Sequence, residues 1–354
     1  MSTERQGGRI LVEQLLVHGA DTVFSVPGES FLPVLDGLHE HRAKLKLVTC
    51  RHESAAANMA EAHAKLTGRP GICFVTRGPG ATQASVGVHT AFQDSTPMIL
   101  FVGDVGSDFR DREAFQEVDF AAMFAPLAKW AARIDSVERI PEYLNRAFTV
   151  SMSGRRGPVV LALPEDLLTA RASVEDARMY EPAHAEPGKR EMERLRELLA
   201  AAKRPLVVLG GSGWTQDACA DMRKFAEANH LPVACAFRFQ DLFDNRHPHY
   251  VGDVGVGINP ILAERVRTAD VLLVVGARMG EMTTSGYTLI DSPVPRQKLV
   301  HVMTGPEELG RVYQAEIPIL AGMGRFARAA RAMAPVDASA WKASVAETRA
   351  DYLA

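Results

Sequence analysis

Between residues 45 and 92 the sequence twice runs from a short apolar stretch into a helix made largely of small residues. Leu45–Cys50 passes through Arg51-His52 into Glu53-Ser54-Ala55-Ala56-Ala57-Asn58-Met59-Ala60. Gly71–Thr76 passes through Arg77 into Gly78-Pro79-Gly80-Ala81-Thr82-Gln83. The first turn carries a carboxylate and the second is rich in glycine. Strand-to-helix turns of this kind belong to parallel sheets, whose ligands bind at the carboxyl ends of the strands.

The rhythm continues on both sides. Thr22–Val26, Pro97–Val102, Leu127–Ala131 and Pro158–Leu163 read as further strands. Arg9–His18, Ser30–His41, Glu53–Leu66, Asp119–Phe124 and Pro141–Ser153 read as helices, and Gly68 serves as a C-cap. Gly103–Glu117 is polar and reads as a long loop. The pattern breaks between Pro164 and Lys189, where Pro182, Pro187 and Gly188 stand among charges. A second α/β unit follows. Its strands are expected at Leu206–Leu209, Pro232–Ala236, Val271–Val275, Lys298–Val302 and Pro318–Leu320. Phe237–Ile258 reads as irregular, and Asp337–Leu353 as an amphipathic helix. The expected fold is therefore α/β, with two doubly wound parallel-sheet domains, the second Rossmann-like. The expected boundaries are 1–165 for the first domain, 166–189 for a linker, 190–335 for the central domain and 336–354 for a C-terminal helix.

A chain of 354 residues suits two such cores. Its net charge of −3 offers no basic surface for nucleic acid or an anionic membrane. Met1–Gly8 is polar with no apolar stretch behind it, and no apolar run reaches membrane-spanning length. The four cysteines, Cys50, Cys73, Cys219 and Cys235, form no Cys-x-x-Cys pair. A cytoplasmic protein is expected, with no membrane, nucleic-acid or metal site of its own.

Singly, the turn residues are ordinary. Glu53 complements a helix dipole, and Gly78-Pro79-Gly80 makes a tight turn. Their occurrence in successive strand-helix units is the informative feature. With it come Val26-Pro27-Gly28, Gly68-Arg69-Pro70-Gly71, Asp94-Ser95-Thr96-Pro97-Met98, Ala114-Phe115-Gln116-Glu117, Gly210-Gly211-Ser212-Gly213 and Val275-Gly276-Ala277-Arg278. In this order the chain resembles the thiamine-diphosphate enzymes of the acetolactate synthase type, over nearly its whole length.

The resemblance implies an aminopyrimidine-binding domain followed by a central domain. It implies that Glu53 hydrogen-bonds N1′ of the cofactor's aminopyrimidine, activating the ring whose amino nitrogen takes the proton from C2. Apolar surroundings from Ala55, Ala56 and Met59 would suit a carboxyl that holds a shared proton. By the same resemblance Pro27, Gly28, Thr76, Gly78, Pro79, Gly80 and Gln83 line the cofactor, while Phe115 and Gln116 face the substrate. The implied activity is carboligation or cleavage of 2-oxo acids. Thr76 stands where some decarboxylases of the superfamily place a histidine, which favours carboligation. Gln83 replaces an asparagine, and His89 and Gln93 depart from the synthase pattern.

The family's central domain often carries FAD, or ADP in relatives, and Gly211, Ser212, Gly213 and Arg278 mark the corresponding turns here. Gln216 occupies the last position of a would-be Gly-x-Gly-x-x-Gly, and His301-Val302-Met303-Thr304 offers no aspartate for a ribose. An empty nucleotide site is expected. The family holds Mg²⁺ and the cofactor's diphosphate through a Gly-Asp-Gly motif, which is absent from this sequence. The chain is thus expected to be the first two domains of a longer enzyme, a homodimer or homotetramer, and inactive alone. The alternatives are a non-catalytic regulatory or binding protein that keeps the fold, and a 2-oxo acid decarboxylase of the same superfamily.

Overall fold

The computed structural model describes residues 3–354. The chain divides into two compact units, the first ending at Pro182 and the second spanning Ala183–Ala354.

In the first unit the elements are β1 (Arg5–Gln6), α1 (Gly7–Val17), β2 (Thr22–Ser25), α2 (Leu32–Glu40), β3 (Lys46–Thr49), α3 (Glu53–Thr67), β4 (Gly71–Val75) and α4 (Gly78–Asp94). They continue through β5 (Met98–Asp104), α5 (Phe120–Phe124), β6 (Trp130–Arg133), α6 (Ile140–Met152), β7 (Pro158–Pro164), α7 (Glu165–Thr169) and β8 (Arg171–Ala172). Six strands form one parallel sheet in the order β3-β2-β4-β5-β7-β6. Successive side chains of each strand point to opposite faces. Ile72, Phe74, Ile99 and Phe101 pack beneath α1, α2 and α6, where the Phe74 and Phe101 rings stack at 4.5 Å. Cys73, Val75, Leu100 and Val102 face α3, α4 and α5. Each large apolar side chain buried this way contributes roughly 1.5–3 kcal/mol.

The small residues of α3 and α4 allow these helices to lie side by side. A Cβ built on Gly87 would come within 2.5 Å of the Ala57 Cβ. One built on Gly71 would strike the Ala60 carbonyl, so β4 begins directly against α3. The His52 Nδ1 accepts from the Ser54 N–H at 3.2 Å and starts α3. Gly68, at φ +71°, ends it in the left-handed region.

The second unit contains α8 (Lys189–Ala200), β9 (Pro205–Leu209), α9 (Gln216–Ala228), β10 (Val233–Ala236), β11 (Tyr250–Val254), α10 (Pro260–Thr268) and β12 (Val271–Val275). Then follow β13 (Lys298–Met303), β14 (Ile317–Leu320), α11 (Met323–Ala332) and α12 (Lys342–Leu353). Its parallel sheet runs β11-β10-β9-β12-β13-β14, the strand order of dinucleotide-binding folds.

Three stretches differ from the sequence reading. Phe237–Ile258 is not wholly irregular, because it holds the edge strand β11. Gly252 at φ +116° and a register shift opposite Val233–Cys235 interrupt that strand's periodicity. Residues 165–172, expected at the linker's edge, form α7 and β8 instead, and β8 pairs antiparallel with β1. The C-terminal helix packs back onto its own unit. Trp341 is 2% exposed, its indole N–H donating to the Asn229 and His230 carbonyls, and Asp351 pairs with Arg265.

Candidate functional site

In the first sheet the chain steps from β2 outward to β3, then returns to β4 on the other side. The β2/β4 boundary is therefore the topological switch point, where crossovers diverge and leave a crevice at the strand ends. Three turns meet there. β2 ends in Val26-Pro27-Gly28, β4 in Thr76-Arg77-Gly78, and the turn after β3 delivers Glu53. The acidic and glycine-rich turns are not adjacent along the sheet, since β2 lies between them. The α3–α4 packing brings them together.

Thr76 is the hub. A Cβ on Gly28 would lie 2.6 Å from the Thr76 Cβ, and one on Gly80 would lie 3.0 Å from its Cγ2. The Thr76 hydroxyl is 2.9 Å from that of Ser30, which is fully buried. The same position on Gly80 stands 3.6 Å from the Glu53 Oε1. On the third side the Gly78 N–H donates to the Gln116 carbonyl at 3.1 Å. Gly28, Glu53, Thr76, Gly78, Gly80 and Gln116 thus converge.

The other expected residues are more peripheral. Pro27, Pro79 and Gln83 are exposed on the rim, and Phe115 is 72% exposed. Glu53 is half-buried. Of its expected apolar neighbours only Ala56 is buried, whereas Ala55 and Met59 face outward. Burial pushes the Cys73 thiol far up, so this thiol beneath the cluster stays protonated. Ser30 was invisible in the sequence, because its role depends on the Thr76 hydroxyl facing it. A cavity of about 430 Å³ beside the same loop is lined by Asp104, Arg110, Glu117, Val118 and Arg133. It contains none of the converging glycines, and its buried Asp104 is tied to Arg133 at 2.8 Å.

The second unit has its switch point between β9 and β12. Gly211, at φ +71°, passes so close to the Gly276 carbonyl that any Cβ would overlap it. The Gly210 N–H donates to the Val275 carbonyl at 3.0 Å. Ser212 and Gly213, at φ +91°, complete the turn. The Thr215 side chain then caps α9 through the Ala218 N–H at 3.2 Å. Arg278 is half-buried, its Nε 3.3 Å from the buried Glu308 carboxylate, which also meets Arg311 at 3.3 Å.

Comparison with known proteins matches a family model to each unit. The family model described as "Thiamine pyrophosphate enzyme, N-terminal TPP binding domain" matches residues 5–123, and the one described as "Thiamine pyrophosphate enzyme, central domain" matches residues 192–330. The chain belongs to the thiamine pyrophosphate enzymes. Among its relatives in that family is the acetolactate synthase large subunit of Corynebacterium glutamicum, 32% identical over 319 residues, which are 89% of this chain and 50% of the relative. The isozyme 2 large subunit of Escherichia coli is 29% identical over 346 residues, 98% of this chain and 62% of that protein. The isozyme 3 large subunit of Escherichia coli is 32% identical over 321 residues, 89% and 55%. The chain thus spans 50–62% of the length of these relatives. The converging residues all lie inside the N-terminal match. Among the described residues no helix is long and apolar enough to cross a membrane.

Proposed function

We propose that this chain supplies the N-terminal and central domains of an acetolactate synthase-like carboligase acting on 2-oxo acids, with Glu53 as the activator of bound thiamine diphosphate. The observation that carries this reading is the approach of the Glu53 carboxylate to Gly80 at the sheet's switch point. The residues present suit the cofactor's pyrimidine half. Gly78 and Gly80 carry no side chain in the first turn of α4, and a half-buried carboxylate stands beside it to accept a ring N–H. When bound, the cofactor supplies a carbanion-stabilising thiazolium.

In this reading Glu53 holds the proton at N1′. Gly28, Thr76, Gly78 and Gly80 shape the wall against which the ring lies, with Pro27, Pro79 and Gln83 at its rim. Thr76 positions Gly28 and Gly80 and carries no group that titrates near neutrality, which favours carboligation over decarboxylation. Phe115 and Gln116 border the substrate side. Mg²⁺ and the diphosphate are held outside the residues described here. The protein works in the cytoplasm as a homodimer or homotetramer. The Gly211, Ser212, Gly213 and Arg278 turns serve the packing of the second unit, because Arg278 is occupied by Glu308 and Gly211 by the Gly276 carbonyl. FAD or ADP is therefore not assigned to them.

The test is proton exchange at C2 of bound thiamine diphosphate, followed by NMR in the assembled enzyme that contains this chain. Fast exchange in the parent, lost in Glu53→Gln with the fold retained, is the expected result. Exchange at the parental rate in Glu53→Gln would remove Glu53 from the role and end the proposal.

A further inference from the structure

The segment from Gly106 to Glu117 runs past the glycine turn, and both of its ends are held by adjacent carboxylates at the start of α7. At the first end the Asp166 Oδ1 accepts from the Ser107 N–H at 3.0 Å and faces its hydroxyl at 3.2 Å. At the other end the Glu165 Oε2 accepts from an Arg77 guanidinium nitrogen at 2.6 Å. A second nitrogen of that guanidinium donates to the Phe115 carbonyl at 3.3 Å. The next carbonyl, on Gln116, is taken by the Gly78 N–H. One dipeptide thus reaches both ends of the segment, directly on one side and through Arg77 on the other.

Between these ends the segment closes on itself. The Glu117 carboxylate accepts from the Asp111 N–H at 2.8 Å and the Ala114 N–H at 3.0 Å. Asp111, Glu113 and Gln116 adopt φ of +60°, +52° and +64°. Side-chain-bearing residues hold such angles only where their surroundings enforce them. Arg77 is suited to the linkage because its rigid planar fork presents donors on separate nitrogens to the two acceptors. Its side chain is only 12% exposed.

We infer that Arg77, Glu165 and Asp166 form a positioning bracket that fixes Phe115 and Gln116 against Gly78, and so sets the substrate side of the site. The assignment of Phe115 and Gln116 to the substrate rests on the thiamine reading above. The bracket itself does not. Glu165 and Asp166 act through Arg77 and Ser107, and none of the three need touch the cofactor.

Hydrogen–deuterium exchange on the intact chain tests the bracket without any cofactor. In Asp166→Asn the Ser107 end should exchange about tenfold faster, and in Arg77→Lys the Phe115–Gln116 end should do so, a factor equal to roughly 1.4 kcal/mol of lost protection. In Glu165→Gln the second end should loosen as in Arg77→Lys. Amides of β4 and α3 should stay at parental rates in all three. Unchanged exchange across residues 106–117, or a uniform rise across the unit, would overturn the bracket. In the assembled enzyme Glu165→Gln should raise KM for the 2-oxo acid about tenfold with C2 exchange retained. An unchanged KM would overturn its role in substrate placement. Absence of C2 exchange in the parent would instead overturn the thiamine reading, while the deuterium pattern would still decide the bracket.

Discussion

The Glu53 carboxylate oxygen Oε1 lies 3.6 Å from the point at which a side chain on Gly80 would begin. The two residues open neighbouring helices whose strands, β3 and β4, are not neighbours. Their approach depends on the α3–α4 contact, where Gly87 meets Ala57. A carboxylate beside a helical turn that bears two glycines combines a proton acceptor with room for a flat ring, the combination used in the proposed function.

Replacing Glu53 by Gln keeps the volume and removes the ionisable group. Exchange at C2 of bound thiamine diphosphate should slow by about 10²–10⁴-fold, the range for loss of a general acid–base group. NMR exchange rates check this, and circular dichroism should show an unchanged fold.

Gly87→Ala places a methyl 2.5 Å from the Ala57 Cβ and 2.8 Å from its carbonyl carbon. Backbone cannot yield as a flexible side chain can, so α3 and α4 must part. A loss of about 1–3 kcal/mol in urea unfolding is expected. Because separation also draws Glu53 from Gly80, cofactor affinity in the assembled enzyme should fall with it.

His18 links α1 to the segment after β8. Its Nδ1 accepts from the Tyr180 N–H at 3.2 Å, and its ring packs on Phe148 and Tyr180. Burial lowers its pKa to about 4, from an ordinary value of 6.5. Above pH 6.5 the ring is neutral in both folded and unfolded chains. Between pH 6.5 and about 4 only the unfolded chain takes up the proton, so stability falls as pH falls. The total loss should reach about 3 kcal/mol. His249 and His301 are also held below their ordinary range by burial, so the His18 share is the difference from His18→Phe. Denaturant midpoints between pH 7 and 4 should decline less steeply in that variant.

Trp341→Ala removes the largest side chain joining the C-terminal stretch to the second core, along with its bonds to Asn229 and His230. About 3–5 kcal/mol should be lost. Chemical unfolding should show an earlier transition for that unit. An unchanged midpoint would mean that the stretch is not part of the core.

Much of the fold was legible because parallel strands buried on both faces read as continuous apolar runs. Pro97–Val102 and Val271–Val275 are of this kind. β11 escaped because Gly252 and Asp253 interrupt its five residues and Gly252 takes a positive φ. α7 and β8 escaped because each is too short to develop a period. At the site, Glu53 and Gly78-Pro79-Gly80 were legible as turn chemistry. Arg77 and Glu165 were not read as partners, since 88 residues separate them and nothing local in either marks the other.

The sequence by itself determined the parallel α/β class, two sheets and the residue types at each strand-to-helix turn. These follow from periodicity and turn preference, which act over a few neighbouring residues. Only the tertiary structure decided that β2 stands between β3 and β4, that Gly87 admits Ala57, and that Thr76 gathers Ser30, Gly28 and Gly80. Those relations depend on strand order and helix packing between distant segments. Local sequence preference carries no record of which segment will arrive.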